Sequence, residues 1–254
     1  MSAPRARLFL RSLLLQAGFS DERRQGLGFA WTLDPALRAA YGADADGLRA
    51  ARLRHLGVFN TAPNAAGLIV GACAALEARA ASGDAAAAAR AQAFKGAIGA
   101  SLAGSADALF WGALRPLAAA TAALGAAVGV LLGTKTPLVV GAAAGLLVFN
   151  APALAARGLG VERGFVDPDG AALRVAALPV RGWIRAARLA AAALIVAAAA
   201  ALIGRPFLHT PAALAAGAFA LGAGAARATV GPLRLIAAAG LLGAAAWAAA
   251  GWTP

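Results

Sequence analysis

Five apolar runs, at residues 116–134, 137–156, 186–204, 207–226 and 235–252, constrain this chain more than any other feature. Each is long enough, or nearly so, to cross about 30 Å of hydrocarbon as a helix, which takes roughly 20 apolar residues. Alanine and glycine dominate them, so the drive for insertion per residue is small, and the third and fifth runs are weaker than the second. Composition agrees, because 61% hydrophobic and 13% charged residues over 254 positions leave too little polar surface to wrap a soluble core of that size. The expected fold class is all-α: a polytopic helical membrane protein with about five transmembrane helices toward the C-terminal side.

Lysine and arginine orient the spans, since positive residues are retained on the cytoplasmic side. With the N-terminus inside, the segment before Pro116 holds thirteen of the 23 basic residues and the 157–188 connection holds six. Arg227 and Arg234 fall in the last inside turn, while the outside turns carry only Lys135 and Arg205. This bias predicts a cytoplasmic N-terminus. It also accounts for the net charge of +12 without nucleic acid, because the charge lies on one predicted membrane side and aromatic residues are not interleaved with it.

Residues 1–115 have a different texture, with eight of the eleven acidic residues and only short hydrophobic segments. They are expected to form cytoplasm-facing, re-entrant and interfacial helices, and 116–254 a transmembrane bundle with a cytoplasmic connection near 157–188. Arg5 and Arg7 precede Leu8-Phe9-Leu10 as in a secretion signal, but Arg11 interrupts the run and no small-residue cleavage site follows, so a retained helix is expected. Residues 46–59 fit a helix with Leu48, Ala51, Leu53 and Leu56 mostly inward and Arg49, Arg52 and Arg54 outward. Asn60-Thr61-Ala62-Pro63-Asn64 stops it, and Thr61 is placed to cap a new helix through Gly67 and Leu76. The apolar part of that second helix, 65–76, extends only about 18 Å. It is either a buried core helix or one arm of a re-entrant hairpin.

Residues 94–116 bring a carboxylate, Asp107, into an apolar, glycine-broken stretch leading into the first long run. Bare backbone and a charge survive at membrane depth only beside protein or a water-filled cavity, which points to a transport path. Two roles for Asp107 are compatible: Ser105 or Asp107 caps the helix that follows, or Asp107 accepts hydrogen bonds from a polar solute while Trp111 supplies an apolar face. GxxxG pairs occur at Gly67/Gly71, Gly125/Gly129, Gly129/Gly133, Gly141/Gly145 and Gly160/Gly164, about the number that random placement of 31 glycines gives. Of these, the Gly125, Gly129, Gly133 ladder on one face of one span is the candidate for a close helix contact.

Soluble-enzyme constellations are absent. There is no Walker-type loop, GxGxxG, GxSxG elbow or HExxH pair. The single cysteine, Cys73, excludes an internal disulfide, and with only His55 and His209 besides, no metal site or cofactor is expected. Asp21-Glu22-Arg23-Arg24 reads as a solvated helix start and His55 as a packing histidine, with an acid–base role as the alternative for both.

Three blocks carry a family resemblance. They are Leu14-Leu15-Gln16 with Glu22-Arg23-Arg24-Gln25-Gly26-Leu27-Gly28; His55 with Phe59-Asn60-Thr61 and Pro63; and Leu102-Ala103-Gly104 with Asp107 and Phe110-Trp111-Gly112-Ala113-Leu114-Arg115-Pro116. A fainter echo runs through Phe149-Asn150 to Arg157, Gly158 and Gly164. Over roughly residues 12–165 the chain resembles the IID component of the mannose/fructose/sorbose-type phosphotransferase system, a membrane subunit of a sugar permease. Departures are visible. Phe19-Ser20-Asp21-Glu22-Arg23 stands for the usual Trp-Asn-Tyr-Glu-Arg, Ala62-Pro63 for His-Pro, and 100–107 loses a proline and a glycine while keeping Asp107.

The resemblance implies that the chain pairs with a IIC subunit to form the channel for a hexose, in a bacterial inner membrane, with further assembly as a trimer of such pairs. Soluble IIA and IIB proteins would carry the phosphate, leaving this chain without catalytic residues of its own. Its translocation-path candidates are then Asp107, Trp111, Asn60, Thr61, His55, Glu22, Arg23 and Gln25. A membrane-embedded enzyme using Asp21, Glu22 and His55, and a non-transporting sensor or assembly protein of the same fold, stay open.

Overall fold

The computed structural model describes residues 2–202; the fourth and fifth apolar runs, with His209, Arg227 and Arg234, lie outside the described residues. Every regular element among the described residues is helical: α1 (Ala3–Ser12), α2 (Gly26–Tyr41), α3 (Ala45–His55), α4 (Ala66–Ala81), α5 (Ala87–Leu109), a π-helical turn (Phe110–Leu114), α6 (Arg115–Leu132), α7 (Thr136–Val166), α8 (Ala171–Ala176) and α9 (Val180–Leu202). Three segments are long and apolar enough to cross a membrane, Ala87–Leu132, Thr136–Val166 and Ala171–Leu202. They contain the first expected run as far as Leu132, the whole of the second, and the third as far as Leu202.

The described chain forms two compact units, one of residues 2–119 with 144–191 and the other of 120–143 with 192–202. In the first, α4 is the centre. Residues 66–77 are all buried, and Leu8 of α1, Phe29, Leu33 and Leu37 of α2, Ala51 of α3, Ala91 of α5 and Val161 of α7 join the same core. A helix apolar on every side is one that other elements must enclose. Of the two alternatives for this short helix, the structure shows the buried core helix.

Glycines let α4 and α7 touch backbone to backbone. A β-carbon at Gly67 would collide with the Arg157 carbonyl and one at Gly71 with the Val161 carbonyl; on the facing helix, one at Gly160 would lie 2.7 Å from the Leu68 nitrogen and one at Gly164 2.8 Å from the Ala72 nitrogen. These are two GxxxG pairs that counting alone passed over, because frequency cannot say which pairs face each other. The expected ladder is only partly a contact. In the second unit a β-carbon at Gly125 would lie 2.6 Å from the Gly141 Cα, and one at Gly129 2.9 Å from the Thr134 carbonyl. Gly133, however, has φ +65° and open space around it, so it makes the turn between α6 and α7.

Three local expectations are corrected. The stretch 94–116 is helical throughout, its only irregularity being the π turn, so neither Ser105 nor Asp107 caps a helix there. Glycine costs about 1 kcal/mol in a water-exposed helix, yet where no water can replace the backbone hydrogen bonds the helix persists. Thr61 caps nothing either, because α4 starts at Ala66 without a side-chain cap. In α3, Leu53 is exposed and Arg54 turns inward, drawn by a buried acid on α4.

Candidate functional site

The buried acid is Glu77, fully enclosed in α4. Its carboxylate accepts from the Tyr41 hydroxyl at 2.7 Å, from Arg54 Nε at 3.0 Å and Nη2 at 2.8 Å, and from His55 Nε2 at 2.7 Å. Burial alone would raise its pKa; the hydrogen bonds from His55, Arg54 and Tyr41 outweigh that and hold it down at about 2. Burial likewise pushes the His55 imidazole below its ordinary value, against the pull of Glu77. His55 is therefore neutral at pH 7, and since a carboxylate only accepts, its proton sits on Nε2. Its Nδ1 is buried with no hydrogen-bond partner among the described residues. Lys95 closes the cluster from α5, donating to the His55 carbonyl at 3.0 Å, with its ammonium 5.1 Å from the Phe29 ring centroid. This network ties α2, α3, α4 and α5 together.

A second polar region is open. Gln16, Gln25, Asn60, Thr61, Pro63, Ala103, Asp107, Trp111 and Arg115 line a cleft of about 430 Å³. Asp107, Trp111 and Arg115 recur at intervals of four along α5, the π turn and α6, which puts them on one side of the helix. Trp111 is fixed between the Phe149 ring, 5.6 Å away, and the Arg115 guanidinium, 5.4 Å from its own centroid. None of the ion pairs among the described residues involves Asp107.

The opposite wall is held by Gln25. Its Nε2 donates to the Thr61 carbonyl at 2.8 Å and its Oε1 accepts from the Thr61 N–H at 3.0 Å, while its own N–H donates to the Phe59 carbonyl at 2.8 Å. With its backbone so clamped, Thr61 is buried to 3% exposure and its hydroxyl has no hydrogen-bond partner among the described residues. A buried hydroxyl left unpaired costs about 1–3 kcal/mol. Thr61 is among the residues that line a cleft also presenting a carboxylate, amides and an indole.

The structure thus brings together Asp107, Trp111, Asn60, Thr61 and Gln25. It leaves out the other three candidates: Glu22 and Arg23 are exposed in the turn before α2, and His55 is enclosed with Glu77. An acid–base set of Asp21, Glu22 and His55 is therefore not assembled. Glu77, Tyr41 and Lys95 went unnoticed in the sequence, although a lone acid ending an apolar run was a signal for the first of them. Among the described residues no group of His, Cys, Asp and Glu could hold a metal ion.

The family model for the mannose/fructose/sorbose IID component of the phosphotransferase system matches residues 3–169. The chain belongs to this family. As a IID-family chain it is 39% identical over 158 residues to the sorbose-specific EIID component of Klebsiella pneumoniae, covering 62% of this chain and 54% of that protein. It is 38% identical over 158 residues to the mannose-specific EIID component of Escherichia coli K12, covering 62% and 53%. It thus spans about half the length of these relatives. Among solved structures, a chain of the cryo-electron-microscopy structure of the mannose transporter ManYZ with microcin E492 superposes with a TM-score of 0.58 at 30% identity, covering 78% of this chain and 69% of that one. Another membrane protein superposes with a TM-score of 0.66 at 27% identity, covering 98% and 97%. IID membership and the three apolar segments together make this a membrane protein.

Proposed function

We propose that this IID-family chain is the membrane subunit of a phosphoenolpyruvate-dependent sugar permease, forming with a IIC subunit the path by which a hexose enters the cell. The observation that carries the reading is the cleft that Asp107, Asn60, Trp111 and Thr61 line together, with the buried Thr61 hydroxyl unpaired among the described residues. A carboxylate, an amide and a hydroxyl match the donors and acceptors of a sugar, and the Trp111 ring matches its apolar face. The cleft is open on the isolated chain, in keeping with a site that a second polypeptide completes.

In this reading phosphoryl transfer belongs to soluble IIA and IIB proteins at the cytoplasmic face, and the chain sits in the bacterial inner membrane with its N-terminal half, 1–115, toward the cytoplasm. Pairs of IIC and IID assemble further, as a trimer. Its exposed basic residues, Arg23 among them, then face the side on which IIB docks.

The test is uptake of labelled mannose, fructose and sorbose in cells holding IIA, IIB and IIC partners but lacking this chain. Restoring the chain is expected to restore phosphorylation-coupled uptake of at least one sugar. Equal uptake with and without it would refute the reading.

A further inference from the structure

Pro116 is the second residue of α6 and has no N–H, so it cannot donate to the Gly112 carbonyl one turn earlier, and its ring crowds that carbonyl. The π turn at Phe110–Leu114 relieves the crowding by widening the helix, with the Arg115 N–H reaching back five residues to the Phe110 carbonyl. The Gly112 carbonyl then takes a hydrogen bond from outside its own helix: Arg188 Nε, from α9, donates to it at 3.1 Å. A β-carbon at position 112 would sit 3.3 Å from Arg188 Nη2, a tight contact that the guanidinium would have to ease by a few tenths of an ångström.

The same device occurs in α2. Pro35 withholds the donor for the Trp31 carbonyl, and Arg11 Nη1 supplies one at 2.8 Å. Twice, a proline in a helix is matched by an arginine from a distant helix at the carbonyl it strands.

We propose that Arg188 is a positioning residue for the cleft: by bonding the Gly112 carbonyl it holds the π turn in the form that aims Trp111 and Arg115, alongside Asp107, at the bound solute. Arg188 does not itself line the cleft. It acts through its N–H rather than through its charge. The proposal rests on the reading of the cleft as a sugar site.

The test uses the full chain co-expressed with its IIC, IIB and IIA partners, and two readouts: hydrogen–deuterium exchange of residues 110–117, and the apparent KM for labelled mannose, fructose and sorbose. Arg188→Ala is expected to speed exchange in that segment and to raise the apparent KM of the transported sugar about tenfold with little change in maximal rate. Adding Pro116→Ala returns an N–H one turn after Gly112, so the double variant is expected to recover both readouts. That rescue separates the bond from the charge. Where Arg188→Ala fails to accumulate, Arg188→Met keeps the apolar stem and removes the N–H, and is expected to behave alike, with the same rescue. Unchanged exchange in Arg188→Ala, or absence of rescue by Pro116→Ala, would overturn the proposal. If the exchange effects appear as expected while the unaltered complex carries none of the sugars, the transport reading fails and the role of Arg188 in holding the turn stands.

Discussion

The Glu77 network and the Asp107 cleft hold similar residue types, yet they differ in one respect. Around Glu77 the acid has three partners on two other helices, Tyr41 of α2 and Arg54 and His55 of α3, and its carboxylate is fully buried. Around Asp107 the acid is exposed beside an open cleft, and the Thr61 hydroxyl in the same lining is unpaired among the described residues. The first arrangement can only hold the fold, because it has little capacity left to bind anything. The second keeps hydrogen-bonding capacity in reserve at a cost to stability, as the proposed sugar site requires.

Breaking the network should have the largest effect on the fold. Glu77→Ala leaves the part-buried Arg54 and the fully buried His55 without their acceptor and is expected to destabilise by about 3 kcal/mol, read as loss of monodisperse protein in detergent. Equal thermal stability of that variant and the unaltered chain would erase the distinction between the two regions. Acid should attack the same place. Because Glu77 is held at about 2 from an ordinary 4.5, its carboxylate contributes stability above pH 4.5 that is lost as pH falls toward 2. His55 acts in the same direction: its lowered pKa means the unfolded chain takes up its proton first, so stability declines as pH drops below about 6.5. Thermal melts in detergent across pH 7 to 3 are expected to fall steadily, and a flat profile would contradict the network's protonation states.

The cleft should respond in the opposite way. Asp107→Asn is expected to lower sugar uptake by about tenfold or more, the worth of a charge-assisted hydrogen bond, while leaving the melting temperature unchanged. A fall in stability with normal uptake would make the cleft structural after all. The smallest effect is expected for Thr61→Val. Removing an unpaired hydroxyl should leave stability equal or slightly higher, with uptake reduced about threefold. A clear loss of stability would mean the hydroxyl has a partner in the folded chain.

Much of the cleft was legible because its residues fall in short motifs whose spacing survives in the sequence: Gln25, Asn60-Thr61, and Asp107 with Trp111. Glu22 and Arg23 belong to one of those motifs yet point away. The turn they occupy closes on itself through Ser20 and Arg24, with Arg24 at φ +53°, so that the Arg23 carbonyl meets the Phe59 N–H while the Glu22 and Arg23 side chains stay exposed, and the Gln25 side chain reaches Thr61. The Glu77 network could not be read, since its partners lie 22 and 36 residues away along the chain and Arg54 leaves the polar face that periodicity assigned it. The α4–α7 contact hid for the same reason: Gly67 and Gly71 matter because Gly160 and Gly164 lie opposite, and nothing local says so.

Sugar binding to the purified complex of this chain with its IIC partner, titrated for the unaltered chain and for Asp107→Asn with exposed Arg23→Ala as the control, tests the central claim most directly. The account predicts saturable binding that Asp107→Asn weakens about tenfold or more and Arg23→Ala leaves intact. Equal affinity of all three complexes for every hexose that binds would contradict it.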